Sequence, residues 1–174
     1  MIALTGGWTD IARMRAGKPV VVHGDGTSLW TLTHSTDVAK ALVGLLGLPQ
    51  ALGDSFTITS DEYLPWNRIY ELFAEAAGAP SPQLVHIASD TIAVAAPELG
   101  PSILGDKSHS VVFDNSKVKA LVPEFICTVP LALGARQILN WFDSNPDQQT
   151  VDERLNATFD ALVEATRPND VRPL

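Results

Sequence analysis

Short β-branched runs alternate along this chain with helical stripes of apolar residues, and that alternation constrains the fold more than any other feature. Val20-Val21-Val22 is followed by Gly24-Asp25-Gly26 and then by the alternating stretch Leu29-Trp30-Thr31-Leu32-Thr33. Two strand-like runs flanking a Gly/Asp turn read as a hairpin or a tight β-turn-β unit. Ser35 or Thr36 supplies an N-cap, with Asp37 in the positive first turn of the helix that follows. Val38, Ala39, Ala41, Leu42, Leu45 and Leu46 give that helix an apolar face, and Gly47 with Pro49 ends it. Upstream, Trp8, Ile11, Ala12 and Arg15 fall at helical spacing, and Gly17-Lys18-Pro19 stops them.

A second unit repeats the plan. Phe56-Thr57-Ile58-Thr59 reads as a short strand, and Ser60-Asp61-Glu62 leads to a helix with Pro65 in its first turn. Trp66, Ile69, Tyr70, Phe73, Ala76 and Ala77 form its buried stripe, and Gly78 and Pro80 terminate it. Leu84 to Ile87 reads as another strand, followed by a weak helix through Asp90 to Ala96. Gly100 to Ser110 reads as a loop and Val111-Val112-Phe113 as a strand. Two helices close the chain, one carrying Ile138, Leu139 and Trp141, the other Leu155, Phe159, Leu162 and Val163. Alternating strands and helices define the α/β class, here a small mixed sheet with packed helices.

Composition narrows what such a chain can do. At 174 residues, with 45% hydrophobic and 18% charged residues, it has the make-up of one globular unit. Twenty acidic against twelve basic side chains leave a net charge of −8, which disfavours a nucleic-acid backbone as partner. Cys127 is the only cysteine, so an intrachain disulfide and a thiolate zinc cage are excluded. A reducing, cytoplasmic compartment is the expectation. Ala41 to Gly53, the longest mostly apolar stretch, is well short of the ~20 residues a bilayer requires. The start, Met1-Ile2-Ala3-Leu4-Thr5, carries no basic region and leads to no long apolar run, so no signal peptide is expected.

Catalytic motifs are incomplete. Gly24-Asp25-Gly26-Thr27-Ser28-Leu29 opens like a dinucleotide fingerprint but lacks the third glycine and leads into a strand, so it reads as a turn. His23, His34, His86 and His109 lack metal-ligand spacing, and no metal site is expected. No Gly-x-Ser-x-Gly elbow occurs. Cys127 lies in the apolar Phe125-Ile126-Cys127 and reads as a packing residue. A Tyr-x-x-x-Lys pair would let a lysine lower the tyrosine pKa for proton transfer. Tyr63 is instead followed four residues on by Asn67, and Tyr70 by Ala74.

Three segments in order carry a resemblance. The first is Gly24-Asp25-Gly26 with Trp30-Thr31-Leu32-Thr33-His34-Ser35-Thr36-Asp37-Val38-Ala39-Lys40-Ala41. The second is the strand Phe56–Thr59 with its following helix. The third runs Gly105-Asp106-Lys107, Phe113-Asp114-Asn115-Ser116-Lys117-Val118-Lys119 and Val122-Pro123. Together, over roughly Thr5 to Phe142, they resemble the extended short-chain dehydrogenase/reductases, the NAD-dependent epimerase/dehydratase family. In that family a strand ending in His leads through x-x-Asp-(Val/Leu)-Ala into a helix, and an Asp-x-Ser-Lys segment precedes a closing helix.

The resemblance implies the C-terminal part of a Rossmann-type reductase with an incomplete dinucleotide-binding sheet. Residues 1–143 would form the substrate-binding region with terminal Rossmann elements, 144–165 a C-terminal helix and 166–174 a mobile tail. Phe56–Thr59 would be a late strand of the sheet, with the helix from Val38 packed on it. The family's Gly-rich loop and Tyr-x-x-x-Lys pair lie upstream of everything matched, so NAD or NADP would serve the parent enzyme while this chain alone binds neither and is inactive. Apolar surface left open by missing strands implies self-association or a partner supplying the missing half.

In nucleotide-sugar members an arginine precedes the strand's His by four residues and another sits just before the later Gly-Asp, both gripping the diphosphate. Here those positions hold Trp30 and, near the second, Ile103. The resemblance therefore implies a less charged carbonyl or alcohol substrate, with Thr5, Trp8, Trp30, Ile103 and Lys107 as candidate substrate-binding residues. Lys107 would compensate as a point charge or stand as a solvated loop residue, and Trp8 and Trp30 would line the pocket or pack in the core. His34, Asp37, Asp114 and Ser116 read as structural, anchoring a strand end and helix starts. Because folds of this kind are also recruited for binding, a non-catalytic scaffold that binds RNA or another partner is the alternative.

Overall fold

The computed structural model describes residues 7–166 of the chain. Helix α1 (Trp8–Arg15) leads into strand β1 (Val20–His23), and Gly17, at φ 67°, makes the turn between them. Strand β2 (Leu29–Trp30), helix α2 (Ser35–Leu45), strand β3 (Leu64–Pro65) and helix α3 (Trp66–Ala76) follow. Strand β4 (Leu84–Ile87), helix α4 (Ser89–Ala95), a short α5 (Gly100–Ser102) and a π turn over Ile103–Lys107 come next. Helices α6 (Ser116–Leu121), α7 (Leu131–Ser144) and α8 (Glu153–Thr166) complete the α/β fold. Among the described residues, no helix is long and apolar enough to cross a membrane.

The strands pair differently from the hairpin expected at Gly24-Asp25-Gly26. β1 runs parallel to β4, with Val20 opposite Leu84 and His23 opposite Ile87, and β2 pairs antiparallel with β3. All four β1 residues are buried, so the strand has helices on both faces, whereas a hairpin strand would commonly leave one face in water. On one side Val20 and Val22 join Trp8, Ile11, Met14, Ile69, Tyr70, Phe73 and Leu139 from α1, α3 and α7. On the other, Val21 and Ile87 pack with Ile92, Ile103, Leu155 and Phe159. Each such buried apolar side chain stabilises the fold by about 1.5–3 kcal/mol relative to exposure.

Two expected strands do not form. Phe56–Thr59 and Val111–Phe113 carry no strand pairing among the described residues. Phe56 and Ile58 instead pack beside Ala41, Val118, Val122 and Phe125 in a third apolar cluster, and Val111 spends its N–H on the Leu29 carbonyl at 3.0 Å. A strand without a partner edge gains no ladder bonds, so these segments stay extended and irregular. The stretch 100–110, expected as a loop, begins with α5 and the π turn because Ile103 and Leu99 drive it into the β1–β4 core.

Helix caps also shift from the sequence reading. His34, in extended conformation, is the N-cap of α2 and accepts the Thr36 N–H at Nδ1, 3.3 Å away, in place of Ser35 or Thr36. Pro65 precedes α3 as its N-cap instead of occupying its first turn. Of the expected α2 face only Ala41 is buried, and Leu42, Val43 and Leu46 are exposed. α8 buries all four residues of its expected stripe against β1 and β4. The expected tail beyond Thr166 lies outside the described residues.

Candidate functional site

The turn after β1 is the organising feature. Gly24 and Gly26 adopt φ values of 60° and 70°, which only glycine tolerates cheaply. Asp25 Oδ1 accepts from the Thr27 amide at 2.9 Å and its hydroxyl at 2.7 Å, which holds the Asp25 carboxyl below the usual carboxylate range. The Gly26 and Ser28 carbonyls accept from the Asn67 and Trp66 amides, satisfying two of the orphan N–H groups at the start of α3. Thus a glycine turn that resembles a cofactor loop in sequence serves as a backbone cap.

Against this turn lies the 103–110 segment. The Lys107 carbonyl accepts from His23 Nε2 at 3.0 Å and from Ser28 Oγ at 2.9 Å, and Ser110 Oγ accepts the Leu29 amide at 3.0 Å. A carbonyl only accepts, so the His23 proton sits on Nε2 and Nδ1 is a bare acceptor. His23 is 3% exposed, and among the described residues its Nδ1 has no hydrogen-bond partner. Burial pushes the imidazole pKa down, keeping the ring neutral.

Two of the sequence-derived candidates meet here. Lys107 Nζ lies 5.7 Å from the centroid of the Trp30 ring, a cation–π arrangement, and also contacts Ser102 Oγ and, at 3.8 Å, Asp106. Trp30 in turn stacks on Trp66 at 6.0 Å and meets the edge of Phe113. The other candidates are elsewhere. Trp8 is in the core, stacked on Phe142 at 4.9 Å with Arg15 over its ring, and Ile103 is 1% exposed among the side chains of α8. Thr5 lies outside the described residues. His23 and Ser28 were missed by sequence reasoning, although His23 directly precedes the Gly-Asp-Gly turn.

Two openings flank this framework. Beside the turn is a polar cavity of about 280 Å³ that includes His23, Asp25, Ser28 and Ser110 in its wall. Farther away, between α2 and α7, is an apolar groove of about 500 Å³ bordered by His34, Val38, Leu42, Leu131 and Ile138. No group of three or more metal-ligating side chains comes together among the described residues.

No family model matches the chain. A 79-residue stretch is 37% identical to 2'-dehydrokanamycin reductase of Streptomyces kanamyceticus, covering 45% of this chain and 22% of that protein. A 74-residue stretch is 32% identical to the chloroplast stem-loop binding protein of 41 kDa b of Arabidopsis thaliana, covering 42% of this chain and 20% of that one. Among solved structures, UDP-glucuronic acid 4-epimerase of Bacillus cereus, in complex with UDP-glucuronic acid and NAD, matches with a TM-score of 0.60 and 20% identity over 79% of this chain. dTDP-glucose 4,6-dehydratase of Bacillus anthracis, in complex with NAD, matches with a TM-score of 0.59 and 14% identity over 80% of it. RMD of Pseudomonas aeruginosa, complexed with NADPH, matches with a TM-score of 0.58 and 17% identity. The match takes in only 39% of the epimerase and the dehydratase, and the stretches aligned to the two curated relatives span about a fifth of their lengths. The chain therefore has the fold of a portion of the NAD-dependent epimerase/dehydratase enzymes.

Proposed function

We propose that this chain is the C-terminal, substrate-binding portion of an NAD(P)-dependent epimerase/dehydratase-like oxidoreductase, with the cofactor loop and the Tyr-x-x-x-Lys pair outside these 174 residues. The substrate in this reading is not a nucleotide-diphosphate sugar. The observation that supports it is Trp30, which the sequence resemblance sets at the position of a diphosphate-gripping arginine and which is stacked on Trp66. Its neighbour Lys107 is engaged with Ser102, Asp106 and the Trp30 ring, and the other arginine position lies near the buried Ile103. An indole and an aliphatic core residue offer a phosphate no charge-assisted bond.

Hydride transfer would be the cofactor's chemistry, and this portion would bind and orient the substrate. The purified chain, incubated with NAD⁺ or NADP⁺ and a panel of alcohols and sugars, is expected to form no reduced cofactor. Turnover by the chain alone overturns the reading, as does saturable nucleotide-sugar binding by the chain rejoined to an upstream half. The coding sequence ahead of Met1 is expected to hold an in-frame Gly-rich loop and Tyr-x-x-x-Lys.

The same reading leaves Leu42, Val43 and Leu46 of α2 to be covered by a missing half or by a second copy. Sedimentation at high concentration is expected to show association, and a monodisperse, well-folded monomer argues against it. A second reading, a non-catalytic scaffold that binds RNA or another partner, is favoured by the local similarity to the Arabidopsis stem-loop binding protein and, for RNA, opposed by the charge of −8. Titration with single-stranded RNA against NAD(H) separates the two: saturable, salt-sensitive RNA binding favours the scaffold.

A further inference from the structure

We propose that the apolar groove between α2 and α7 binds a neutral, largely apolar carbonyl compound, with the Nε2–H of His34 donating to its carbonyl oxygen. The inference rests on the substrate-binding reading above and names the substrate class for it.

The first support is a directed donor. His34 Nδ1 accepts the Thr36 amide in capping α2, so the ring proton is on Nε2. Among the described residues Nε2 has no hydrogen-bond partner, and unlike His23 Nδ1 it is not sealed from solvent. A Cβ at Gly134 would stand 3.3 Å from His34 Cδ2, the atom bonded to Nε2, so this edge of the ring faces α7. Both residues line the groove. A carbonyl oxygen lying in it would accept a hydrogen bond from Nε2 without disturbing the cap.

The second support is the chemistry of the wall. Leu32, Val38, Leu42, Phe73, Leu131 and Ile138 make it apolar, and it includes no aspartate, glutamate, lysine or arginine. The charged groups of α2 are committed elsewhere. Fully buried Asp37 accepts from the Thr128 and Val129 amides, and Lys40 Nζ donates to Asp37, the Ile126 carbonyl and Thr128 Oγ1. Asp37 already supplies the negative charge that the N-terminus of α2 favours, so a second anion there would be repelled. At about 500 Å³ the groove lies within the roughly 300–1,000 Å³ of small-molecule sites, which are likewise mostly apolar with a few orienting polar groups. Leu42, 52% exposed on its rim, belongs to the face that an upstream half would cover, closing the groove into a pocket.

The test is titration of the isotope-labelled full chain, followed by amide and imidazole nitrogen resonances, with benzophenone, diphenylmethane and diphenylacetate as matched probes. Saturable shifts at residues 32–42 and 129–138 are expected, with the His34 Nε2 resonance responding to benzophenone and not to diphenylmethane. Benzophenone is expected to bind about fivefold more tightly than diphenylmethane, the contribution of one hydrogen bond, and diphenylacetate most weakly. H34S keeps a capping hydroxyl for α2 and is expected to erase the preference for benzophenone. A39F, at an exposed position of the groove wall, is expected to weaken all three probes together, so the proposal stays testable if H34S does not fold. Absence of saturable shifts in these segments, equal affinity for benzophenone and diphenylmethane, or tightest binding by diphenylacetate overturns the site. Because the readout needs no NAD(P), a failed oxidoreductase reading and a failed groove give different results.

Discussion

The Asp37 carboxylate, on the first turn of α2, accepts the amide hydrogen of Val129 at 3.0 Å across 92 positions of sequence. The same fully buried carboxylate accepts from the Thr128 amide and from Lys40 Nζ at 2.7 Å, fastening α2 to the segment that enters α7. Burial works to raise its pKa, but the lysine and the two amides together outweigh it and hold the carboxyl below the usual carboxylate range. D37A removes the acceptor from several donors at once and is expected to cost about 3 kcal/mol in urea unfolding. D37N, which retains one amide-accepting oxygen, is expected to cost less. An unchanged midpoint for D37A would show that this joint contributes nothing.

Stability is expected to fall with acid in two stages. His23 has a folded pKa depressed by burial, so its contribution is full above the unfolded value of about 6.5 and declines as the pH drops below it, where the unfolded chain takes the proton first. Asp61, held down by Lys119 and Asn115, and Asp160, held down by Arg13, behave likewise from an unfolded value near ~3.9. Their contribution is present above that value and lost as the pH falls through the depressed folded ones. Urea midpoints measured from neutral pH downward should decline below about pH 6.5 and again below about pH 4, and H23Q should remove the first decline.

Gly26 is expected to tolerate no side chain. A Cβ there would stand 2.0 Å from Asn67 Oδ1, and the backbone has φ of 70°. Asn67 has little room to retreat, since it donates to the Asp25 carbonyl and its Oδ1 pairs with His86. G26A should cost at least the ~1–2 kcal/mol of a left-handed alanine and should shift the Asn67 side-chain amide resonances. A fully stable G26A with those resonances unmoved would contradict the geometry.

Phe159 and Trp141 test whether α8 belongs to the core. Phe159 is fully buried against the β1–β4 layer, whereas Trp141 is 52% exposed on α7. F159A is expected to cost about 3–5 kcal/mol and W141A less than about 1. Equal losses would mean that α8 does not pack as described.

Helices were the legible part of the sequence, because apolar spacing and stop residues are local. The stripe Leu155, Phe159, Leu162 and Val163 is buried as its periodicity required, and Gly17 and Gly78 end helices at positive φ. Strand pairing was not legible. Val20–Val22 looks the same whether its partner is nine residues away across Gly-Asp-Gly or is Leu84–Ile87, and the burial of both its faces, which favours the distant parallel partner, is a tertiary fact. Phe56–Thr59 has strand composition, yet among the described residues it pairs with no strand, and Phe56 and Ile58 pack into the apolar cluster of Ala41, Val118 and Val122. At the site, the Trp30–Lys107 pairing follows from a fold that brings residues 77 apart together, and the bare acceptor of His23 exists only because the Lys107 carbonyl takes its other nitrogen.

By itself the sequence determined the α/β alternation, the apolar stripes of the long helices, the acidic charge and the segments that resemble a reductase family. Those depend on periodicity, backbone-restricted residues and counted charges, which need no knowledge of neighbours in space. Only the tertiary structure decided which strands pair, which tryptophan is core and which sits beside a lysine, and where a buried imidazole is left with an open lone pair. Each of these is a competition between distant groups for the same hydrogen bond or the same apolar surface, and the winner is fixed only when the chain closes on itself.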